Sequence, residues 1–437
     1  MRFIRAGDTS ETRHKRDLSK KKIRDPGKYL FETLPGDQTE THTTLLYGRE
    51  VTKRMKVNTK RQVEFDYIKT LALFFMVIIH VLEELSTYGA YEVIPAGFWE
   101  NLIEFGAGPL AAPAFMCAMG VGIIYSRRSE PPQLFRRGVR ILILAIGLNL
   151  VRGVIPTLTV SAIRGNIDPD RIFYLMFNVD ILHFAGLSLM LTALLKKLHV
   201  PPLAFVPVAI AMQIIGNLLP PITADCSIPL YILGSFFHTS PLSAFPLLIC
   251  YIHIAAGIAF GDILIRQKDP ERFYRIIFWG SLSLLAGLLF TLVTTGYDLK
   301  NLYMLYNELY YQQTFLHFAF NTLVVLLELS IFHFMLERFR PAEGFALFCS
   351  KNVNSIYLIQ WVIIGIWVGF GGSNFGFWGS VLWGLVIAFA SIGFTRILPS
   401  FNMTGLRDES TAKASCQEDQ SILSDCEGYD NRDLKRS

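Results

Sequence analysis

Charge is scarce in this chain: only 18% of its 437 residues are Asp, Glu, Lys or Arg, against 51% hydrophobic residues. With a mean hydropathy of +0.37, that balance excludes an ordinary water-soluble globule. Cysteines are few and scattered, so a disulfide framework is not expected. Cys117 and Cys250 fall in apolar runs, Cys349 in a basic loop, Cys226 in a loop between apolar segments, and Cys416 and Cys426 in the C-terminal tail. The sequence also lacks HExxH, paired CxxC, a P-loop, GxGxxG ahead of a helix and the GxSxG nucleophile elbow. No metal site is therefore expected. No nucleic-acid module accompanies the net charge of +5, so nucleic acid is not an expected partner. The first 60 residues contain no apolar stretch of the kind found in a cleavable signal peptide.

What the sequence does contain is a series of apolar blocks close to 20 residues long, the length that crosses a bilayer as an α-helix. They predict an all-α, polytopic integral membrane protein with about ten transmembrane helices. The expected spans are 67–85, 106–126, 139–157, 174–195, 201–220, 242–263, 275–295, 314–336, 353–371 and 377–397. Residues 61–400 form the membrane domain. Residues 1–60 are a basic leader with 15 Lys or Arg against 8 Asp or Glu, expected to be mostly disordered. Residues 401–437 are an acidic tail with 5 basic against 8 acidic residues.

The short loops sort by charge. Loops 127–138, 196–200, 264–274 and 337–352 carry Lys and Arg, whereas 86–105, 221–241 and 372–376 carry none. By the positive-inside rule both termini are cytoplasmic, and the expected location is the cell membrane, as a multi-pass protein. Loop 158–173 departs from the pattern with Arg164 and Arg171, just after Arg152. Those arginines are either surface residues of a polar loop or a clue to an anionic ligand.

The first span carries ionisable groups on one stripe. In RQVEFDYIKTLALFFMVIIHVLEE, Lys69 and His80 are eleven residues apart. Eleven steps of about 100° return to one helix face, displaced by about 16 Å along the axis. Asp66 lies one turn before Lys69, and Glu83 and Glu84 lie one turn beyond His80. Inside a membrane such a stripe faces protein or a water-filled cavity. A carboxylate at i+3 or i+4 is placed to orient the His80 ring as a general base. A packed, hydrogen-bonded histidine is the plainer alternative.

Arg136, Arg137 and Arg140 cluster at the start of the third span. Guanidinium groups suit phosphate, although ordinary membrane anchoring also accounts for them. Further polar residues lie inside the spans: Asp180 with His183 (a rival catalytic pair), His253, and His317 with Asn321. These groups are compatible with catalysis or with proton-coupled transport.

Several blocks in order carry a family resemblance. FDYIKTLALFFMVIIH, PAFMCAMGVGIIYSRR followed by LFRRGVRILIL, VDILHFAGLSLMLTALL, SAFPLLICYIHIAAGIAFG and SKNVNSIYLIQW together cover about 65–365. The chain resembles the membrane acyltransferases of the acyltransferase-3 type and the heparan-α-glucosaminide N-acetyltransferase-like proteins. It departs from them in having Lys69 where the family usually has Arg, and Gln360 where it often has His. The resemblance implies a cytosolic acyl-CoA (acetyl-CoA) donor as co-substrate, with no permanently bound cofactor. Its phosphates would be held by Lys69, Arg136, Arg137 and Arg140. The acceptor would be a hydroxyl or amine of a glycan or other envelope component on the far side. His80 would be the base or acyl carrier, with Glu83 and Glu84 beside it. The alternative is a proton-coupled transporter or exporter of a small anionic or lipid-linked molecule.

Overall fold

A computed structural model describes residues 58–88, 97–165, 168–219, 233–237, 244–305, 313–369 and 374–398. The acidic tail, nearly all of the basic leader, and Cys226 lie outside the described residues. Those described are helical, with no β-strand among them and one isolated parallel bridge, Ser86 to Phe375.

The chain opens with α1 (Glu64–Leu85), whose first turn carries Glu64 and Asp66, acids that suit the positive end of a helix dipole. Next come α2 (Phe98–Ala107) and α3 (Ala112–Tyr125). A long run follows, made of α4 (Pro131–Asn149), a π-helical turn at Leu150–Val154, and α5 (Ile155–Arg164). Then come α6 (Pro169–Phe177), α7 (Ile181–Lys197) and α8 (Phe205–Leu218). The remainder is α9 (Leu247–Leu264), α10 (Pro270–Thr294), α11 (Phe315–Arg338), α12 (Glu343–Lys351), α13 (Val353–Gly369) and α14 (Phe377–Ile397).

Among the described residues, seven helical stretches are long and apolar enough to cross a membrane: Glu64–Leu85, Phe98–Tyr125, Pro131–Ile163, Leu247–Leu264, Pro270–Thr294, Phe315–Arg338 and Phe377–Ile397. Two more apolar stretches, Pro202–Leu218 and Val353–Val368, are shorter. The segment expected as one span over 174–195 is two helices, α6 and α7. Asp180 is the reason. Its carboxylate accepts from Leu182 N, and the His183 ring accepts from Asp180 N in a capping box, so the chain restarts a helix there.

Burial separates the interior helices from the lipid-facing ones. Within the apolar window, α9 is 83% buried and α1 is 72% buried, but α10 only 11%. On α10, Ile276, Trp279, Leu284, Phe290 and Val293 point outward, as lipid contact requires. Around α1 pack α2, α3, α11, α12, α13 and α14, so the stripe read from the sequence sits at the centre of the bundle.

Small residues set the closest crossings. Gly257 of α9 lies against the Cys117 main chain of α3, and Gly120 of α3 against the Ile254 carbonyl of α9. Gly138 and Gly186 make the same exchange between α4 and α7, where a Cβ would sit 2.6 and 2.9 Å from the opposing carbonyl. Such contacts drive helix association where lipid removes the hydrophobic incentive. Alanine at Gly257 must displace backbone, at a cost of about 1–3 kcal/mol, and is expected to lower the melting temperature in detergent. Alanine at Gly287, where a Cβ meets nothing within 4 Å, is expected to be neutral or to stabilise by up to about 1 kcal/mol. Thermal melts of the two variants check the difference.

Candidate active site

The site is built where α1 meets α13 and the π-helical turn. Pro156 explains that turn. It has no N–H to offer the Arg152 carbonyl four residues earlier, and its ring would crowd that carbonyl in a regular α-helix. The ladder widens instead, with Ile155 N donating to Leu150 O five residues back. Turns of this kind redirect side chains and are frequent at functional sites. Here the turn brings Arg152 onto α13. Gly365 makes room for it, since a Cβ there would lie 2.7 Å from the Arg152 carbonyl oxygen.

Arg152 makes three contacts. Its guanidinium carbon lies 4.3 Å from the centroid of the Trp361 ring, a cation–π contact. Its Nη2 is 3.0 Å from Asp180 Oδ2 and donates to Asn149 Oδ1 at 3.0 Å. Nε and Nη1 have no partner among the described residues. Asp180 Oδ2 also accepts from the Tyr357 hydroxyl at 2.9 Å. Asn149 Nδ2 donates to the carbonyls of Met176 and Asn178, at 3.0 and 2.9 Å. The break between α6 and α7 is thereby fixed to the end of α4.

Tyr357, Gln360 and Trp361 fall at i, i+3 and i+4 on α13 and so share one face. That face receives His80. The His80 ring lies over Trp361 with centroids 4.3 Å apart and meets Tyr357 edge-on at 6.0 Å. Gln360 Nε2 stands 3.1 Å from His80 Nδ1. Gln360 is fully buried and its Oε1 has no partner. Turning its amide over would let Oε1 accept from an Nδ1–H instead. In both arrangements His80 Nε2 is unspent among the described residues, the condition for handling a proton.

Glu83 and Glu84 do not orient this ring as expected. Among the described residues neither makes a hydrogen bond or ion pair; Glu83 is half-buried and Glu84 exposed. The ring turns across to α13 rather than along α1, so Gln360 takes the place given to a carboxylate. The pair Asp180–His183 is real but structural in its main contacts: a capping box, with Nδ1 of His183 3.8 Å from Asp180 Oδ1. Through Tyr357 and Arg152, Asp180 nevertheless belongs to the His80 site.

Lys69 lies at the other end of α1 and is half-buried. Asp66 is not its ion-pair partner, because Arg61 grips both Asp66 oxygens at 2.7 Å. Arg61 and Arg137 lie within electrostatic reach of Lys69. Arg136, Arg137 and Arg140 are exposed and form no ion pair among the described residues. His253 and His317 belong elsewhere. His253 Nε2 meets Gln313 Oε1 at 2.8 Å, while His317 spends both nitrogens, on Thr314 Oγ1 and the Asn301 carbonyl, at 2.9 Å each. Asn321 is fully buried, with neither amide atom partnered.

Sequence reasoning did not place Tyr357, Trp361 and Arg152 beside His80. Two signals pointed there: Arg152 at the edge of a loop that breaks the positive-inside pattern, and the i, i+3, i+4 spacing within SIYLIQW.

Residues 61–290 match the family model described as heparan-alpha-glucosaminide N-acetyltransferase, catalytic. The match contains His80, Arg152 and Asp180 but ends before α13. No curated protein matches the chain.

The Arg152–Asp180 pair is mostly buried, with side-chain exposures of 11% and 14%. Asp180→Ala leaves an unpaired cation and is expected to cost about 3–5 kcal/mol. Tyr357→Phe removes one hydrogen bond and is expected to cost about 1 kcal/mol. Unfolding of both variants in detergent measures the ratio.

Proposed function

The chain belongs to the heparan-alpha-glucosaminide N-acetyltransferase catalytic family, and from that membership we propose that it moves an acetyl group from cytosolic acetyl-CoA across the membrane to an acceptor. The acceptor class is an amine, or a hydroxyl, of a glycan or other envelope component. Family membership and the apolar helices make the chain a multi-pass membrane protein of acetyltransferase type. The finer topology belongs to the proposal: about ten crossings, both termini cytoplasmic, residence in the cell membrane, and a wider kinship with acyltransferase-3 enzymes. On this reading the Lys69 end of α1 faces the cytosol. There Lys69, Arg136, Arg137 and Arg140 hold the donor's phosphates.

One observation supports the chemistry above the others. His80 is clamped by Trp361 and Gln360 with its Nε2 left open, inside the stretch that matches the family. With Nδ1–H held by Gln360 Oε1, Nε2 accepts the proton of the acceptor as its nitrogen or oxygen attacks the thioester carbonyl. The C–S bond then breaks, and the imidazolium returns that proton to the departing thiolate. In a two-step variant, Nε2 itself takes the acetyl group and passes it on. Arg152 rests on the same Trp361 ring as His80, and its donors without a partner among the described residues would stabilise negative charge on the thioester oxygen.

Purified protein supplied with labelled acetyl-CoA and an amino-sugar acceptor provides the test. His80→Ala is expected to lose about 10²–10⁴-fold in transfer rate with its melting temperature retained. Full activity in that variant overturns the assignment. Arg140→Ala is expected to raise KM for the donor and leave kcat; unchanged donor affinity removes its proposed role. Flux driven by a pH gradient in sealed vesicles without acetyl-CoA would favour proton-coupled transport instead.

A further inference from the structure

A second polar network crosses the bundle away from His80, on α11, and the proposed transfer chemistry makes no use of it. Glu328 is 7% exposed, and neither carboxylate oxygen has a hydrogen-bond partner. It sits between Val325 and Leu329, which join Cys117 of α3 and Tyr274 of α10 in one apolar cluster. An ionised carboxylate left alone in that setting is costly, and an ionisable group inside a membrane marks a functional site until another reason is found. Asn321, two turns earlier on the same stripe, is likewise buried with both amide atoms unspent.

The groups around Glu328 lead to one end of the helix. Glu328 is within electrostatic reach of Cys117, and Cys117 of Tyr274. Tyr274 is in turn within reach of Glu64 on α1 and Tyr125 on α3. The hydroxyls of Tyr274 and Tyr125 are both buried and unpartnered. The Tyr274 ring stacks on His333 with centroids 4.0 Å apart. His333 Nδ1 is 2.6 Å from Glu64 Oε1, and its Nε2 is 3.3 Å from Glu337 Oε1. Glu337 is 45% exposed and marks where the chain of groups reaches solvent.

We propose that Glu328 is an intramembrane proton-binding site that exchanges protons with solution at the Glu337 end of α11 through the Glu64–His333 pair. A proton is the ligand that fits. It neutralises a lone carboxylate without needing a coordination shell, which the apolar neighbours Val325 and Leu329 cannot supply. The two tyrosine hydroxyls are donors and acceptors with no other commitment, and His333 bonds the Glu64 carboxylate through Nδ1 while its Nε2, without a hydrogen-bond partner among the described residues, lies 3.3 Å from Glu337 Oε1.

The test uses dicyclohexylcarbodiimide, an apolar carbodiimide that reacts with protonated carboxyl groups inside membranes. Full-length protein is reconstituted in vesicles of one orientation, labelled, and mapped by peptide mass spectrometry. Glu328 is expected to carry the label, and Glu328→Gln to lose it. Labelling is expected to fall as pH rises on the side that Glu337 faces and to ignore pH on the other side. His333→Phe, which keeps a ring against Tyr274 but removes both nitrogens, is expected to lose that response. Absence of label at Glu328 in protein with a normal melting transition overturns the site. A response to the opposite side, or an unchanged response in His333→Phe, overturns the route.

Discussion

The buried ion pair between Arg152 and Asp180 is the constraint on which the candidate site depends. As a source of stability such a pair is weak, because desolvation offsets most of the attraction. Its value here is in registry. Arg152 is delivered by a π-helical turn, Asp180 by a broken helix, and both meet one face of α13 through Trp361 and Tyr357. Three interruptions or crossings that would otherwise be free to slide are held to one another at a single point. His80 then rests on Trp361, the same ring that carries Arg152.

Irregular backbone inside a membrane domain is tolerated where protein rather than lipid surrounds it. Both irregularities meet it on one side, the π turn through its buried Gly153 and Val154. The freed region of the π turn is covered by Gly365, and the segment between α6 and α7 is tied down by the Asn149 amide. The intramembrane histidines separate on similar grounds. His317 has both nitrogens engaged and acts as a strut between α11 and the turn at Asn301. His80 has one engaged and one without a partner among the described residues, an arrangement that lets a ring exchange a proton with a substrate.

Sequence reasoning located α1 well because the information is local. A period of 3.6 places Lys69 and His80 on one stripe from their spacing alone, and apolar run lengths find the helices. The helix break at Asp180 was missed: apolar residues flank it, and a single capping carboxylate outweighs the hydrophobic run. The carboxylates at i+3 and i+4 misled for a related reason. Spacing shows who can reach His80 along its own helix, but not that Gln360, 280 positions away, approaches from the side. Glu64, Glu328 and His333 carried no signal in the sequence, although Glu328 and His333 stand within an expected span. The pairing of Glu64 with His333 between α1 and α11, and the burial of an unpartnered Glu328, are properties of packing.

The proposed reading joins the two ends of α1. An acyl-CoA carries its phosphates and its thioester at opposite ends of a flexible pantetheine arm. A receptor for it needs cations at one place and a base at another. Lys69 and His80 share a helix face about 16 Å apart, with Leu73 and Met76 buried between them. A lysine in place of arginine keeps the charge but gives up the planar fork, so phosphate geometry falls to Arg136, Arg137 and Arg140, which are exposed and unpaired. Arg61, which would otherwise compete for the same anion, is already committed to Asp66. On that reading the labour is divided: Asp66 removes one cation from the site, and the α4 arginines would supply the donors that Lys69 lacks.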